Sequence, residues 1–274
     1  MKKRKTYDEL TFTDDFLFCK ILTSNLELCR QLLELIVEIK IREVRLAESQ
    51  KAVSLTYDGH GVRFDVYVED DDNTVFDIEM QVVADQCLPK RMRYYQGMID
   101  LNLISTGARY ADLKKTYIIF ICLQDPLNAG LPVYHIDSVC REDSHIEFKD
   151  EAAKILVNAE GSTDGLSPEM AAFFHYLRNN KAQSQFTEQL DNEVERAKAH
   201  IEWRTDYMSL LEKFEIEREE GREEGREESR EENARAMLAD NMDISLVVKY
   251  SGLTESQVLS LKESMTEYSV NKSR

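Results

Sequence analysis

Two stretches near the middle of the first half of the chain alternate apolar and polar residues. In Arg63-Phe64-Asp65-Val66-Tyr67-Val68, residues Phe64, Val66 and Val68 fall on one side and Arg63, Asp65 and Tyr67 on the other. In Val75-Phe76-Asp77-Ile78-Glu79-Met80-Gln81, the apolar side is Phe76, Ile78 and Met80, and Asp77, Glu79 and Gln81 line the opposite side. A period of two marks half-buried strands, and the acidic run Glu69-Asp70-Asp71-Asp72-Asn73 between them predicts an exposed hairpin turn. With the turn at Asp71 to Asn73, the antiparallel register sets Asp65 across from Glu79 and Arg63 across from Gln81, with facing Cβ atoms roughly 5 Å apart. A slip of one residue would move the whole polar set to the other face.

The pattern on either side predicts the remaining elements. The first 40 or so residues read as two helices, capped by Thr13 or Asp14 and by Asn25. A strand is expected near Ser54 to Tyr57, ahead of the two strands above. Pro89 fits the first turn of a helix running from Lys90 to about Thr106, with Met92, Tyr95, Ile99 and Leu103 at helical spacing. The unbroken apolar run of Thr116 to Leu123 reads as a buried strand. Short strands are expected at Val133 to Val139 and Ile155 to Asn158, and Ser167-Pro168-Glu169 opens a helix. From about Gln185 the pattern is helical into the repeats Glu-Gly221-Arg-Glu and Glu-Gly225-Arg-Glu. The repeats have no apolar seam and two glycines, which predicts a solvated, partly frayed spacer. Beyond it, Ala234 to Leu238, Ile244 to Tyr250 and a capping box at Thr254 and Gln257 outline helix, glycine turn, helix. The expected division is residues 1–180 as one domain, 181–233 as a charged helical spacer, and 234–274 as a small helical, helix-turn-helix-like module. The final helix carries Glu255, Gln257, Lys262 and Glu263, so DNA reading and self-association both stay open for that module.

Carboxylates inside apolar strands need compensation, because two close carboxylates repel unless one is protonated or a cation lies between them. Hard oxygen ligands in small number suit Mg²⁺ or Mn²⁺. The residues alone leave two readings open, a cation-holding pair and a solvated sheet face. On the following helix Arg91 and Tyr95 lie one turn apart, and they read either as a phosphate contact or as a surface arginine beside a core ring.

Asp65, then Phe76-Asp-Ile-Glu79-Met-Gln81, then Pro89-Lys-Arg91-Met-Arg93-Tyr-Tyr95-Gln96, resemble the PD-(D/E)xK nuclease family transposases, the Rpn group of recombination-promoting nucleases. The likeness begins at Phe12-Thr-Asp-Asp-Phe-Leu-Phe, passes through Leu33-Glu34-Leu-Ile, Gly107-Ala-Arg-Tyr110 and Lys115-Thr-Tyr-Ile-Ile-Phe-Ile-Cys122, and ends in the Gly-Arg-Glu-Glu repeats. It implies an α/β, restriction-endonuclease-like core of helix, three strands, helix and strand, with a C-terminal helical extension. It also implies a Mg²⁺-dependent or Mn²⁺-dependent DNA endonuclease. By that resemblance Asp65 and Glu79 are the metal ligands, Gln81 stands where the wider superfamily has lysine and positions the water, and Arg91 steadies the phosphate. Glu34 matches a third acidic ligand from an early helix, with Glu38 as its competitor. The departure at Gln81 matters, since an amide orients water without supplying positive charge.

Composition adjusts this picture. The formal charge is −17, and residues 1–180 carry 21 Lys and Arg against 30 Asp and Glu, so the acidity is general. Phosphate neutralisation must then come from local patches, for which Lys90, Arg91, Arg93, Arg109, Lys114 and Lys115 are the candidates. Five cysteines without paired spacing fit a reducing cytoplasm, and neither they nor the five histidines, His135 and His145 among them, form a zinc pattern. No apolar run is long enough for a membrane helix. The expected partners are DNA and, through the C-terminal helices, a second copy of the chain. The alternative is a nuclease fold without strong catalysis, acting as a DNA-associated regulator or a protein-interaction module.

Overall fold

The computed structural model describes residues 5–53, 62–104 and 107–271, which fall into two compact units, Met1–Arg204 and Thr205–Arg274. The first unit is built on a six-stranded sheet. In chain order it contains α1 (Asp15–Ser24), α2 (Leu26–Val37), β1 (Val44–Val53), β2 (Val62–Asp70), β3 (Val75–Gln81), α3 (Leu88–Leu103), β4 (Thr116–Cys122), β5 (Val133–Ile136), β6 (Ala152–Asn158), α4 (Pro168–Asn179) and α5 (Gln185–Ala199). The strand order is β1-β2-β3-β4-β6-β5, with β3, β4 and β6 parallel and the other pairs antiparallel. The succession of helix, three strands, helix and strand expected of the core is therefore present.

The helix starts follow the capping residues. Asn25 accepts the Leu28 N–H and Ser167 accepts the Met170 N–H, each satisfying a donor that the first helical turn leaves over. Asp14 precedes α1, and its carboxylate takes the Thr11 N–H and hydroxyl instead. In the β2–β3 hairpin, Asp70 accepts the N–H groups of Asp72 and Thr74, and Asn73 adopts the left-handed conformation that asparagine tolerates.

The β2–β3 ladder pairs Val66 with Ile78 and Val68 with Phe76. Continued by one position, it sets Asp65 opposite Glu79, as the turn length predicts. The alternation itself differs from expectation. Phe64 and Tyr67, three residues apart, both belong to the cluster that α3 covers, so the phase of β2 shifts between them. Nor is there a wet face on β3, whose residues from Val75 to Met80 are all buried, Asp77 and Glu79 included. The cause is the fold: β3 is flanked by strands on both edges and covered on both faces. Strand β4 is likewise buried throughout, with Ile118, Phe120 and Cys122 on the α3 side. Helix α1 packs on β1 and β2 on its own side of the sheet, and α2, α4 and α5 extend that helical layer. Helix α5, which the sequence assigns to the spacer, buries Phe186, Leu190, Val194 and Ala197.

The expected strand near Ser54 to Tyr57 lies outside the described residues. The first strand of the sheet is β1, an edge strand whose polar residues are mostly part-exposed, which is why its apolar period is faint in the sequence.

The second unit holds almost all of α6 (Ile201–Ala239), together with α7 (Ile244–Ser251) and α8 (Glu255–Asn271). Its core joins Ala234, Val247, Leu253, Val258 and Leu261, with Gly252 closing α7 at φ 72°. The Gly-Arg-Glu-Glu repeats lie within α6. Two glycines in 39 residues cost about 1 kcal/mol each, which the many Glu and Arg helix formers around them offset. Among the described residues no helix is long and apolar enough to cross a membrane.

Candidate active site

The carboxylates of the central strands meet at the end of the hairpin away from its turn. The Asp65 N–H donates to Glu79 Oε1 at 2.8 Å, and the Met80 N–H donates to Asp65 Oδ2 at 3.2 Å. Each acid thus accepts a backbone hydrogen bond from the strand that carries the other. Glu79 is only 2 % exposed. Burial raises its pKa, against the Asp65 N–H and Arg91, which favour its charge. Burial also pushes Asp65 up to about 8, with the charges of Glu79 and Asp15 adding to the shift. Asp77 is fully buried beside Glu79, and among the described residues neither of its carboxylate oxygens receives a donor. Burial first, and then the Glu79 charge, hold its carboxyl well above the usual range.

Helix α3 supplies the positive side. Arg91 donates to Glu79 Oε2 at 3.1 Å and to Gln81 Oε1 at 2.9 Å, and its Nε lies 3.2 Å from the Tyr95 hydroxyl. Its guanidinium also lies 5.0 Å from the centre of the Phe120 ring, within cation–π range. The Gln81 amide is fixed at both ends, since its Nε2 donates to the Val83 carbonyl. Gln81 therefore orients Arg91, and the positive charge that glutamine lacks arrives from one helix over. Tyr95 is a core ring, packed edge-on against Phe64 at 5.3 Å, with burial pushing its hydroxyl up to about 12.

The structure does not bring Glu34 to this group. Its carboxylate takes Arg30, Lys40 and the Ile41 N–H; partial burial opposes its charge, but these partners hold its pKa low. Glu34 thus fastens the chain leaving α2. Glu38, its competitor, is the left-handed cap of the same helix. The acid near Asp65 is instead Asp15, on the first turn of α1. Asp15, Cys19 and Asp65 offer ligand atoms that all lie within 4.8 Å of one another. Gln50, held at φ 54°, turns its amide to Asp15 and to the Cys19 sulfur. Burial raises the Cys19 thiol far above its usual value, and its sulfur lies against the Asp15 carboxylate and the Gln50 amide. Sequence reasoning used Asp14 only as a helix cap and gave Asp15 no role, although both lie in Phe12-Thr-Asp-Asp-Phe, the segment where the family likeness begins.

These acids open onto a recess of about 570 Å³ between β2 and the start of α3. Among the described residues, the cations lining it are Arg63, Lys90 and Arg91. Of the other basic candidates, Lys114 pairs with Glu69, Arg109 with Asp112, and Lys115 lies over Tyr117. The recess therefore draws on a smaller basic set than the sequence offered. His135 lines a separate groove along β5 and β6, away from these acids.

Asp65 thus joins two groups, lying beside Asp15 and Cys19 on one side and cross-bonded to the strand of Glu79 on the other, where Arg91 bridges Glu79 and Gln81. Neither a curated protein nor a solved structure matches the chain. The sequence model of one family does, over residues 12–232, which takes in every residue of these groups. The chain belongs to the PD-(D/E)XK nuclease family transposases.

Proposed function

We propose that the chain is a divalent-metal-dependent DNA endonuclease of a mobile-element or recombination-promoting kind, which hydrolyses phosphodiester bonds at the recess beside Asp65 and Glu79. The observation that carries this reading is the Asp65–Glu79 pair. The two carboxylates are cross-bonded on adjacent strands with Arg91 as the ion-pair partner of Glu79, so when both are ionised the pair has more negative charge than Arg91 alone balances. A cation is the natural complement. Asp65 and Glu79, with Asp15 as the third carboxylate, would hold it, and these carboxylate oxygens suit Mg²⁺ or Mn²⁺. When bound, such an ion supplies Lewis acidity at the phosphate and eases deprotonation of the attacking water.

The chain's own residues do the rest. Arg91, aimed by Gln81 and braced on Tyr95, stabilises negative charge as it develops on the phosphate oxygens. Lys90 and Arg63 draw the DNA backbone to the recess. The buried faces of β3 and β4 keep the acids rigid, so little reorganisation is needed on binding. Asp77 belongs to the support of Glu79, not to the ligand set.

The test is a nicking assay on supercoiled and branched DNA with Mg²⁺ or Mn²⁺, together with direct measurement of Mn²⁺ uptake. Wild type should cleave and bind Mn²⁺, and Asp65→Ala should lose both. Cleavage that survives both Asp65→Ala and Glu79→Ala would sink the assignment.

A further inference from the structure

We infer that Arg91 and the divalent ion compete for Glu79, so that Arg91 yields this carboxylate as metal binds and turns the freed N–H to the scissile phosphate. The inference rests on the metal-site reading above, and it adds an order of events: Arg91 becomes available to DNA once the ion is held.

Both oxygens of Glu79 are engaged. Oε1 accepts the Asp65 N–H at 2.8 Å, and Oε2 accepts Arg91 Nη2 at 3.1 Å. The first donor is backbone within the sheet and is fixed with its strand. The second is a side chain, 34 % exposed where that of Glu79 is 2 % exposed, so it is the donor that can leave. An ion that takes Glu79 as a ligand therefore meets Arg91 at Oε2.

Arg91 does not depend on Glu79 for its place. Its Nη1 donates to Gln81 Oε1 at 2.9 Å and lies 3.7 Å from the Asp85 carboxylate, while its Nε lies 3.2 Å from the Tyr95 hydroxyl. The guanidinium also lies 5.0 Å from the centre of the Phe120 ring. Giving up Glu79 thus leaves two nitrogens and a ring face holding the side chain in the wall of the recess, with Nη2 free to donate to a phosphate oxygen.

Electrostatics makes the exchange one of partners. A buried carboxylate stripped of its counter-charge is strongly destabilising, so Glu79 is released only to another cation. An ion of charge +2 fills that role and repels the guanidinium at the shared oxygen. The coupling is reciprocal: the affinity that Arg91 takes from the metal equals what the metal takes from the Arg91–Glu79 pair. Arg91 is in this sense a stand-in cation that keeps Glu79 paired, and its release ties phosphate contact to metal loading.

The experiment is a Mn²⁺ titration of wild type, Arg91→Gln, Arg91→Lys and Asp65→Ala, followed by the free-ion electron spin resonance signal. Asp65→Ala defines the uptake that belongs to this site. Arg91→Gln, a donor without charge, should bind Mn²⁺ about tenfold more tightly than wild type, and Arg91→Lys should bind like wild type. A second readout needs no change at Arg91. By peptide mass spectrometry, phenylglyoxal should modify Arg91 of wild type faster in Mg²⁺ than in EDTA, and equally fast in both for Asp65→Ala. Equal or weaker Mn²⁺ binding by Arg91→Gln, or no effect of Mg²⁺ on the modification of wild type, overturns the inference. DNA cleavage tests the underlying reading separately. Tighter Mn²⁺ binding in Arg91→Gln without cleavage by wild type counts against the nuclease alone, and cleavage by wild type with weaker Mn²⁺ binding in Arg91→Gln counts against the exchange alone.

Discussion

Asp65 and Glu79 cross-brace the two central strands: the Asp65 N–H donates to the Glu79 carboxylate at 2.8 Å, and the Met80 N–H donates to the Asp65 carboxylate at 3.2 Å. Each acid is thus held by a backbone N–H of the other strand. Burial first, and then the nearby Glu79 charge, raise the Asp65 pKa. The cross-bracing fixes a pair of charges, as expected where function overrides local packing.

The third carboxylate is where Asp15 and Glu34 make opposite predictions. Asp15→Asn should weaken Mn²⁺ binding several-fold, measured by titration calorimetry or by the loss of the free-ion electron spin resonance signal. Glu34→Gln should leave Mn²⁺ affinity alone and lower the melting temperature, because it loosens contacts to Arg30, Lys40 and the Ile41 N–H. A loss of metal binding in Glu34→Gln with Asp15→Asn unaffected would reverse the assignment.

The pH dependence follows from Asp65. Its folded pKa, about 8, lies above the ordinary carboxylate value, so the folded chain binds this proton more tightly than the unfolded chain. The contribution of Asp65 to stability therefore falls as pH rises from about 4 towards 8. Asp65→Asn removes that loss while keeping an oxygen for the Met80 N–H. The melting temperature of Asp65→Asn relative to wild type should rise steadily between pH 5 and 8. Adding Mg²⁺ at pH 8 should stabilise wild type and leave Asp65→Asn unchanged.

Asp77 receives no donor among the described residues and is fully buried, so its neutral form suits the site. Asp77→Asn keeps the shape and a donor towards Glu79 without needing a proton from solvent. Its melting temperature at pH 8 should equal or exceed that of wild type. Asp77→Ala leaves a cavity and should be less stable by about 1–3 kcal/mol in chemical denaturation.

In the second unit, Gly221 and Gly225 lie inside α6, and a Cβ at either position would meet nothing within 4 Å. Replacing both with alanine should raise helicity by circular dichroism and stabilise α6 by about 1 kcal/mol per site. If helicity is unchanged, the repeats are not limited by glycine.

Much of the site could be read from the residues. The acidic turn fixed the register of β2 and β3, and with it Asp65 opposite Glu79, because a hairpin's turn length sets which residues pair. Spacing put Arg91 and Tyr95 on one helical face. Burial could not be read this way. Alternation in β3 looks like a sheet with one wet face, yet Asp77 and Glu79 are buried, because the covering helix α3 comes later in the chain.

Glu34 and Asp15 show the same limit from the other side. Both are acids on early helices, and local sequence treats them alike. Only packing separates them: the chain after α2 folds back onto Glu34 and takes up its charge, while α1 lies against β2 and brings Asp15 to Asp65.

The sequence alone determined the strands, the turn, the capped helices and the facing acids, all of which depend on residues near one another in the chain. Tertiary structure decided which acids lie near Asp65, which cations reach them, and that Arg91 from α3 bonds both Glu79 and Gln81. Those outcomes depend on which distant segments pack together, and on how strongly burial then penalises an unpaired charge.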